Sequence, residues 1–479
     1  MLCTQEYGPL LGSAVASLNY HQHTCLFYAS GPLLQTLTCG VVSSSQRSLS
    51  LRECEGCQLP GRILEIQVSR SQGQVFVCAR TTYHAAFFQG PTEEEVTSAA
   101  SDAQSSDSAP HMITLLAIFQ TDSCVASATV SPYIAGEGLV VTETGGIYMW
   151  SQGESLQVLR QPLEIPSLSG PSHFWRCCYG NHPRSVVLAE HSGVSLCDLR
   201  SNKMTLSPLL TSPSEWLPNK SLVSAISPSP SHPHHLLIST SHSLLLLDLR
   251  QPRWPLLDQS HDLSHTPKML STARSPSLSS EELVMVTDTV AGDNLVFSVA
   301  TPTGTPPFFS CAAHTVARYS DLKTTWQGRS ALPLIGHRLC LPVGGACLFS
   351  LEDDVIGGED DVETFAAVSM SVWGDLFYQL WSYSETPPTA TPTCSHDDTW
   401  LQEALQQEQE LQVGREEWHD AKPPLNFNPL LDYLDNDLSS VLCPSCLGCP
   451  LIPPSLLLFP PPHPHNVHSR LSKLRPLPT

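Results

Sequence analysis

The sequence predicts an all-β fold: a β-propeller of six or seven blades, followed by a short helical and disordered C-terminal region. Three observations favour this fold. Short apolar runs recur in pairs, and the turn within each pair is rich in Gly, Ser, Asn or Asp, residues that tolerate the tight reversal of a β-hairpin. The pairs are almost evenly spaced, and two of them end in Asp-Leu-Arg. One hairpin cannot bury its own apolar faces, whereas four-stranded blades stacked around a ring can.

The clearest pair of runs spans His235 to Arg250, with a Ser-His-Ser turn between the runs. Ser185 to Arg200 repeats this pattern around a His-Ser-Gly turn, and Leu139 to Trp150 repeats it around two glycines. Leu283 to Val299 is a looser fourth copy. Equivalent positions in successive copies lie 47, 50 and 47 residues apart, close to the period of a propeller blade.

The closing triplets at 198–200 and 248–250 resemble the end of a WD repeat, in which an aromatic or apolar residue precedes the aspartate. Cys197 and Leu247 occupy that place here, and the Gly-His pair of the repeat is not evident at its usual offset. The pattern therefore indicates a divergent, WD-like propeller. A β-sandwich built from a series of hairpins is the alternative, and the even spacing makes it the weaker one.

We expect the propeller to occupy residues 1–384, because six or seven blades need about 300 residues and the chain has 479. The chain is expected to begin inside this domain, with part of its N-terminal region missing. Gly61 to Phe88 reads as the first clear blade, and the hairpin from Thr364 to Leu380 is expected to close the ring. Residues 91–110, which include three consecutive glutamates, are predicted to form an inserted solvent loop.

Two further stretches, Pro208 to Pro233 and Ser271 to Ser280, are rich in Ser and Pro and are predicted to be loops. Beyond the propeller we expect a linker at 385–398, an acidic helical segment at 399–437 and a disordered, low-complexity tail at 438–479.

The composition excludes several classes of function. A net charge of −21 with only 24 Lys and Arg argues against a broad, sequence-independent grip on nucleic acid. The sequence has neither a secretory signal pattern nor an apolar run of about 18 residues, which predicts no membrane association. The 17 cysteines are odd in number and scattered through apparent strands, as at Cys78, Cys197 and Cys340. This indicates buried, reduced thiols rather than a disulfide framework.

Two aromatic and apolar clusters are candidates for partner binding. Phe174, Trp175 and Tyr179 form a patch near the edge of a blade, although packing between blades is the favoured interpretation because aromatic side chains dominate cores. The second cluster lies on the predicted helix after the linker, where apolar residues recur at helical spacing. It comprises Trp400, Leu401 and Leu405. This helix either docks on the propeller or binds another protein of a complex.

We predict no metal, no cofactor and no catalytic site. Cys443, Cys446 and Cys449 supply only three thiolates, whereas structural zinc sites are typically announced by two Cys pairs. The acidic run from Leu351 to Glu363 does not match a calcium-binding loop, so we interpret it as a surface loop or a contact for a basic partner. Glycine loops that cradle phosphate, nucleophile elbows and HExxH motifs are absent, which favours a binding protein over an enzyme.

The order of these motifs resembles one known family, the C-type TATA-box-binding-protein-associated factors of RNA polymerase I. The resemblance spans about Thr24 to Leu405 and rests on order and spacing rather than on a single motif. The stretches that carry it are Pro60 to Ile63, Val130 to Trp150, Ser185 to Arg200, His235 to Arg250, Gly374 to Gln379 and Trp400-Leu401.

The resemblance implies a non-enzymatic scaffold within the promoter selectivity factor. Its implied partners are the TATA-box-binding protein, sister associated factors and the initiation factor of RNA polymerase I, with the ribosomal DNA promoter contacted as part of the complex in the nucleolus. The chain departs from the family at both ends, where an N-terminal region and a basic C-terminal tail are not evident. A generic WD-type scaffold for trafficking or ubiquitin ligation, and a propeller hydrolase, remain alternatives.

Overall fold

A computed structural model describes residues 12–20, 23–45, 48–101, 112–161, 175–200, 205–211, 221–274, 281–302, 305–310, 313–316, 318, 340–351 and 363–383. Every described residue belongs to one of the two units into which the chain divides. These residues form seven antiparallel sheets that follow one another along the chain, so the propeller has seven blades.

The first two blades hold nine strands. Their bounds are β1 Val15–Asn19, β2 Thr24–Ser30, β3 Thr36–Ser45, β4 Ser48–Glu53 and β5 Cys57–Gln58 in blade 1, and β6 Glu65–Ser71, β7 Gln74–Arg80, β8 His84–Gln89 and β9 Thr114–Gln120 in blade 2.

Blades 3, 4 and 5 have four strands each. Their bounds are β10 Val125–Val130, β11 Glu137–Thr142, β12 Ile147–Ser151 and β13 Gln157–Arg160 in blade 3, β14 Trp175–Tyr179, β15 Ser185–Glu190, β16 Gly193–Asp198 and β17 Thr205–Thr211 in blade 4, and β18 Val223–Pro228, β19 His235–Thr240, β20 Ser243–Asp248 and β21 Pro255–Ser260 in blade 5. The three hairpins identified from the sequence are the two middle strands of these blades, which confirms that part of the prediction.

Blades 6 and 7 complete the ring. Their bounds are β22 Met269–Arg274, β23 Glu281–Thr287, β24 Asn294–Ala300, β25 Phe308–Phe309 and β26 His314–Val316 in blade 6, and β27 Val343–Leu351, β28 Glu363–Ser371 and β29 Leu376–Tyr383 in blade 7. The looser fourth hairpin is the β23–β24 pair, and the expected closing hairpin is the β28–β29 pair.

The first strand of every blade lies innermost, and each inner strand packs beside the inner strand of the next blade. The ring closes where β27 meets β1. There the Ala14 amide donates a hydrogen bond to the Gly344 carbonyl at 3.2 Å, and the Asn19 side chain donates to the Ser350 carbonyl at 3.0 Å. Closure therefore joins strands more than 300 positions apart in the sequence.

The two ends of the blades define two faces. We call the upper face the one at which the inner strands begin; it also carries the turn between the second and third strand of each blade. The lower face carries the other turns, including those that follow the inner strands. Because the inner strands run in the same direction, residues at their starts converge on the upper mouth of the central channel.

Residues 91–110, expected as a solvent loop, contain a helix, α1 Glu93–Ser101. Thr92 and Glu95 form its capping box: the Thr92 amide donates to Glu95 Oε2 at 2.7 Å, and the Glu95 amide donates to Thr92 Oγ1 at 3.3 Å. Val96 and Ala99 are buried against blade 1. The three glutamates therefore start a helix rather than a loop, where their charge suits the helix N-terminus.

Both stretches expected as Ser- and Pro-rich loops contain strands. Pro208 lies inside β17, and β18 and part of β22 also fall within these stretches. β17 is the outermost strand of its blade, and its register shifts beside Pro208. An outer strand accepts proline because the missing N–H need not pair with a further strand. Composition alone hides such strands.

The cysteine prediction holds for two of its three examples. Cys78 and Cys197 are buried and free, whereas Cys340 is exposed in a turn just before β27. The described cysteines form no disulfide. Within the described ranges, no helix is long and apolar enough to cross a membrane.

Candidate partner-binding face

Four consecutive blades present one exposed apolar side chain each on the upper face. In the turn between the second and third strand, blade 6 carries Val290, blade 7 Trp373, blade 1 Leu33 and blade 2 Tyr83, with exposed fractions of 46%, 53%, 66% and 47%. We call these four residues the apolar arc. The equivalent turns of blades 3, 4 and 5 consist of Glu, Thr, Gly, His and Ser. Contiguous exposed apolar side chains typically mark a surface that contacts another molecule.

Hydrogen bonds hold the arc together across the ring closure. In blade 6 the Thr289 carbonyl accepts from the Val343 amide at 2.9 Å. The Val372 amide, in the turn of blade 7, donates to the Pro342 carbonyl at 3.0 Å. The turns that carry Val290 and Trp373 are therefore linked through the residues that lead into β27.

The same kind of linkage continues from blade 7 to blade 1. Arg62 donates from Nη2 to the Val372 carbonyl at 2.7 Å, and the next residue, Ile63, donates from its amide to the Leu34 carbonyl at 2.8 Å. Gly374 has a φ of 91°, and a Cβ there would lie 2.7 Å from Cδ2 of Leu34. Glycine is therefore required where the two turns touch. The arc is a built surface, not four unrelated loop tips.

The upper mouth of the channel holds a buried ionic cluster. Glu65 begins β6, and its Oε2 accepts from Nε of Arg80 at 2.7 Å. Arg80 is fully buried, donates from Nη1 to the Val125 carbonyl at 2.9 Å, and thereby ties blade 2 to blade 3. Arg176 of blade 4 donates to the Ala126 carbonyl at 2.9 Å and lies 3.9 Å from Glu65. Burial lowers the pKa of Arg80, while Glu65 opposes that shift.

Two further bases stand near this cluster. Burial, followed by the charge of Arg176, lowers the pKa of Lys268, which precedes β22. Burial also lowers the pKa of His191, although the Val223 carbonyl, 3.0 Å from its Nδ1, favours the charged form. Blades 2, 4 and 6 thus each send a charged side chain toward the mouth, which fixes their relative positions.

The structure describes two of the six residues predicted for partner binding. Trp175 and Tyr179 lie on β14 and are 6% and 3% exposed, in a cluster between blades 3 and 4. The Tyr179 hydroxyl donates to Glu137 Oε1 at 3.3 Å. Little of either side chain is available to a partner. Phe174, Trp400, Leu401 and Leu405 lie outside the described residues, as do Cys443, Cys446 and Cys449.

Sequence reasoning missed the apolar arc and the ionic cluster. The arc becomes visible only when the turns of all blades are aligned, because each turn carries a single apolar residue. The signal for the ionic cluster was a charge inside an apolar run, Arg80 at the end of one and Arg176 within another. Among the described residues, no group of His, Cys, Asp and Glu is arranged to hold a metal ion.

The lower face is built from polar turns, two of which share a His-Pro pattern. His182 and His232 each accept a hydrogen bond at Nδ1 from the amide two residues later, at 3.0 and 3.3 Å. The rings of His232 and His235 stack with centroids 3.9 Å apart. His235 is 7% exposed, and its Nδ1 has no hydrogen-bond partner within the described part of the chain. Burial, with the neighbouring His232, lowers the pKa of His235 to about 4.

We expect this stacked pair to make stability depend on pH. The folded pKa of His235 is below the ordinary value of about 6.5, so between pH 6.5 and 4 the unfolded chain binds the proton and the folded chain does not. The free energy of unfolding is therefore expected to fall by about 1–2 kcal/mol over this range, less than the full shift implies because solvent screens the pair.

Urea unfolding at pH 7 and pH 4.5 tests this expectation, with His235→Phe as the control because phenylalanine preserves the ring but cannot titrate. The variant should lose less stability on acidification than the native chain. Equal losses in the two proteins would show that His235 is not the group responsible.

Comparisons with known proteins follow the same direction as the fold. The family model described as TAF1C, beta-propeller matches residues 103–215, which include the outer strand of blade 2 and all of blades 3 and 4. The C-type TATA box-binding protein-associated factor of RNA polymerase I from Mus musculus is 24% identical over 253 residues, which are 50% of this chain and 28% of the mouse protein. The Homo sapiens protein of the same name is 27% identical over 158 residues, 31% of this chain and 18% of its own.

The alignments therefore span less than a third of these relatives. A chain in the crystal structure of S. cerevisiae core factor superimposes with a TM-score of 0.50 at 11% identity, covering 90% of this chain and 69% of that one. At this identity the likeness concerns the fold alone. Together the sequence matches confirm the family resemblance predicted from the order of the motifs.

Proposed function

Because the chain carries a β-propeller of the TAF1C family, we propose that it is a non-enzymatic subunit of the RNA polymerase I promoter selectivity factor. In this role the propeller is an assembly platform during initiation of ribosomal RNA synthesis. The observation that carries the proposal is the match of residues 103–215 to the family propeller, placed in a ring of seven blades.

The proposed partners are the TATA box-binding protein, its sister associated factors and the RNA polymerase I initiation factor. The names of the mouse and human relatives support the first of these and the polymerase. The net charge of −21 makes broad contact with DNA by this chain unfavourable, so contact with the ribosomal DNA promoter is assigned to the assembled complex. The site of action is accordingly the nucleolus.

A platform role suits the surface of the molecule. The described part of the upper face offers a rigid apolar arc, and the charged groups at the channel mouth hold neighbouring blades together. Nothing in that role demands a reacting group. The polar turns on the lower face are likewise used within the fold, as at His182 and His232.

Immunoprecipitation of the tagged full chain from nuclear extract tests the proposal. The expected result is recovery of the TATA box-binding protein and enrichment of ribosomal promoter DNA over a distant genomic segment. Recovery of vesicle-coat or ubiquitin-ligase components instead would replace the proposal with a general scaffold function. A chain that is soluble and folded but recovers none of these proteins would contradict it.

A further inference from the structure

We infer that the apolar arc binds an amphipathic helix of a partner protein, with basic residues at both ends of the apolar side of that helix. The inference rests on the proposed function and goes beyond it by naming the surface and the chemistry of its partner. It is carried by three features of the described residues: the contiguity of the arc, the state of its backbone groups and the charges at its ends.

The arc is apolar, exposed and fixed in place. Its four side chains are each 46% to 66% exposed, although their turns are linked by hydrogen bonds from blade 6 through blade 7 to blade 1. A surface of this kind binds without reorganising, so the ordering cost of association on the propeller side is small. Trp373, with Leu33 on the neighbouring turn, supplies the large apolar area that typically dominates binding energy.

The backbone groups of the arc favour a helix over an added strand. A strand that pairs with a protein needs free N–H and C=O groups in a row. Here the carbonyl oxygens beside the arc are already used: Thr289 accepts from Val343, Val372 from Arg62 and Leu34 from Ile63. The Tyr83 carbonyl accepts from the Thr121 amide at 2.9 Å. A helix satisfies its own backbone and needs only side-chain contact.

An exposed carboxylate stands at each end of the arc. Asp122 follows Thr121, whose amide bonds the Tyr83 carbonyl, so it lies beside the blade 2 end. Asp262 lies at the blade 6 end, in the connection that includes His265. His265 Nδ1 is 3.0 Å from Asp288 Oδ2, and Asp288 Oδ1 accepts from the Val290 amide at 2.8 Å.

The charges within the arc do not cancel these carboxylates. Arg62 is half-buried near the middle of the arc, and its guanidinium bonds the Val372 carbonyl. A helix with Lys or Arg near each end and an apolar side between them therefore complements the arc in both respects. The acidic balance of the whole chain, −21, further favours a basic partner.

Site-directed crosslinking in a defined complex tests the inference. The photoreactive residue p-benzoylphenylalanine replaces Trp373 in the full chain, which is then mixed with purified TATA box-binding protein and sister associated factors. Trp254 is the matched control position, since it is 62% exposed but lies in a turn of the lower face. We expect position 373 to crosslink one peptide with apolar residues three and four apart and Lys or Arg on both sides.

Binding measurements with variants complete the test. Trp373→Ser and Leu33→Ser should each weaken binding of the crosslinked partner by about tenfold or more, as expected for central apolar contacts. The double reversal Asp122→Lys with Asp262→Lys should weaken it by about tenfold at low salt and less at high salt. Trp254→Ser should leave binding unchanged. These exposed substitutions should also leave thermal unfolding unchanged, which shows that the variants are folded.

The outcomes separate the two proposals. If the chain joins the complex and the arc variants bind as tightly as the native chain, the arc is not the docking surface, while the proposed function stands. A crosslinked peptide that is acidic or lacks helical apolar spacing also overturns the inference. If the native chain binds none of the proposed partners, the proposed function and this inference fall together.

Discussion

Substituting Arg80 by alanine should lower the free energy of unfolding by about 3–5 kcal/mol, the cost of breaking a buried ion pair by removing one partner. Arg80 is fully buried and bonds both Glu65 and the Val125 carbonyl, so its loss removes a link between blades 2 and 3. The substitution also leaves Glu65, itself 5% exposed, with the Arg176 guanidinium 3.9 Å away as its remaining described cation.

Urea unfolding at pH 7 measures this cost, with Arg200→Ala as the control. Arg200 pairs with Asp198 at 2.6 Å, but its side chain is 65% exposed, so its removal should change stability by at most about 0.5 kcal/mol. The double variant Arg80→Met with Glu65→Gln should be more stable than Arg80→Ala, because no unpaired charge remains buried. A loss below about 1 kcal/mol for Arg80→Ala would contradict the structural role of the cluster.

The second large effect is expected at Trp150, the aromatic residue that ends the blade 3 hairpin. Its side chain is 1% exposed and stacks on Phe87 of blade 2 with ring centroids 4.3 Å apart. Replacement by alanine removes this contact and leaves a cavity between blades 2 and 3. The free energy of unfolding should fall by about 3–5 kcal/mol.

Trp373→Ala is the matched control for Trp150, because it removes the same side chain from an exposed turn. Its effect on stability should stay within about 0.5 kcal/mol. Thermal unfolding of the two variants beside the native chain distinguishes core from surface. Equal destabilisation by both substitutions would mean that Trp373 is part of the fold rather than a surface free to bind a partner.

The blade hairpins could be predicted from sequence because their signal is local. Each apolar run and its turn lie within about 16 residues, and the repeat at 47 to 50 residues gives the architecture. The strands that were missed have different causes. β17 contains Pro208, which is tolerated because the strand is outermost, and the helix at Glu93–Ser101 begins with glutamates that composition alone assigns to a loop.

The candidate site was less predictable because it depends on distant residues. Val290 and Leu33 are more than 250 positions apart, yet their turns belong to blades separated only by blade 7. A single apolar residue in a turn carries no signal until ring closure places four such turns side by side. The aromatic patch around Trp175 had the opposite property: it was conspicuous in the sequence, but its described members are buried between blades.

Native mass spectrometry of a reconstituted mixture tests the central claim most directly. The full chain is combined with purified TATA box-binding protein and sister associated factors, and the full-length mouse relative is assembled in parallel as the positive control. The proposed function predicts a complex that contains one copy of this chain together with the TATA box-binding protein. If the chain remains a free, folded monomer while the mouse relative assembles, the claim that it belongs to the selectivity factor is contradicted.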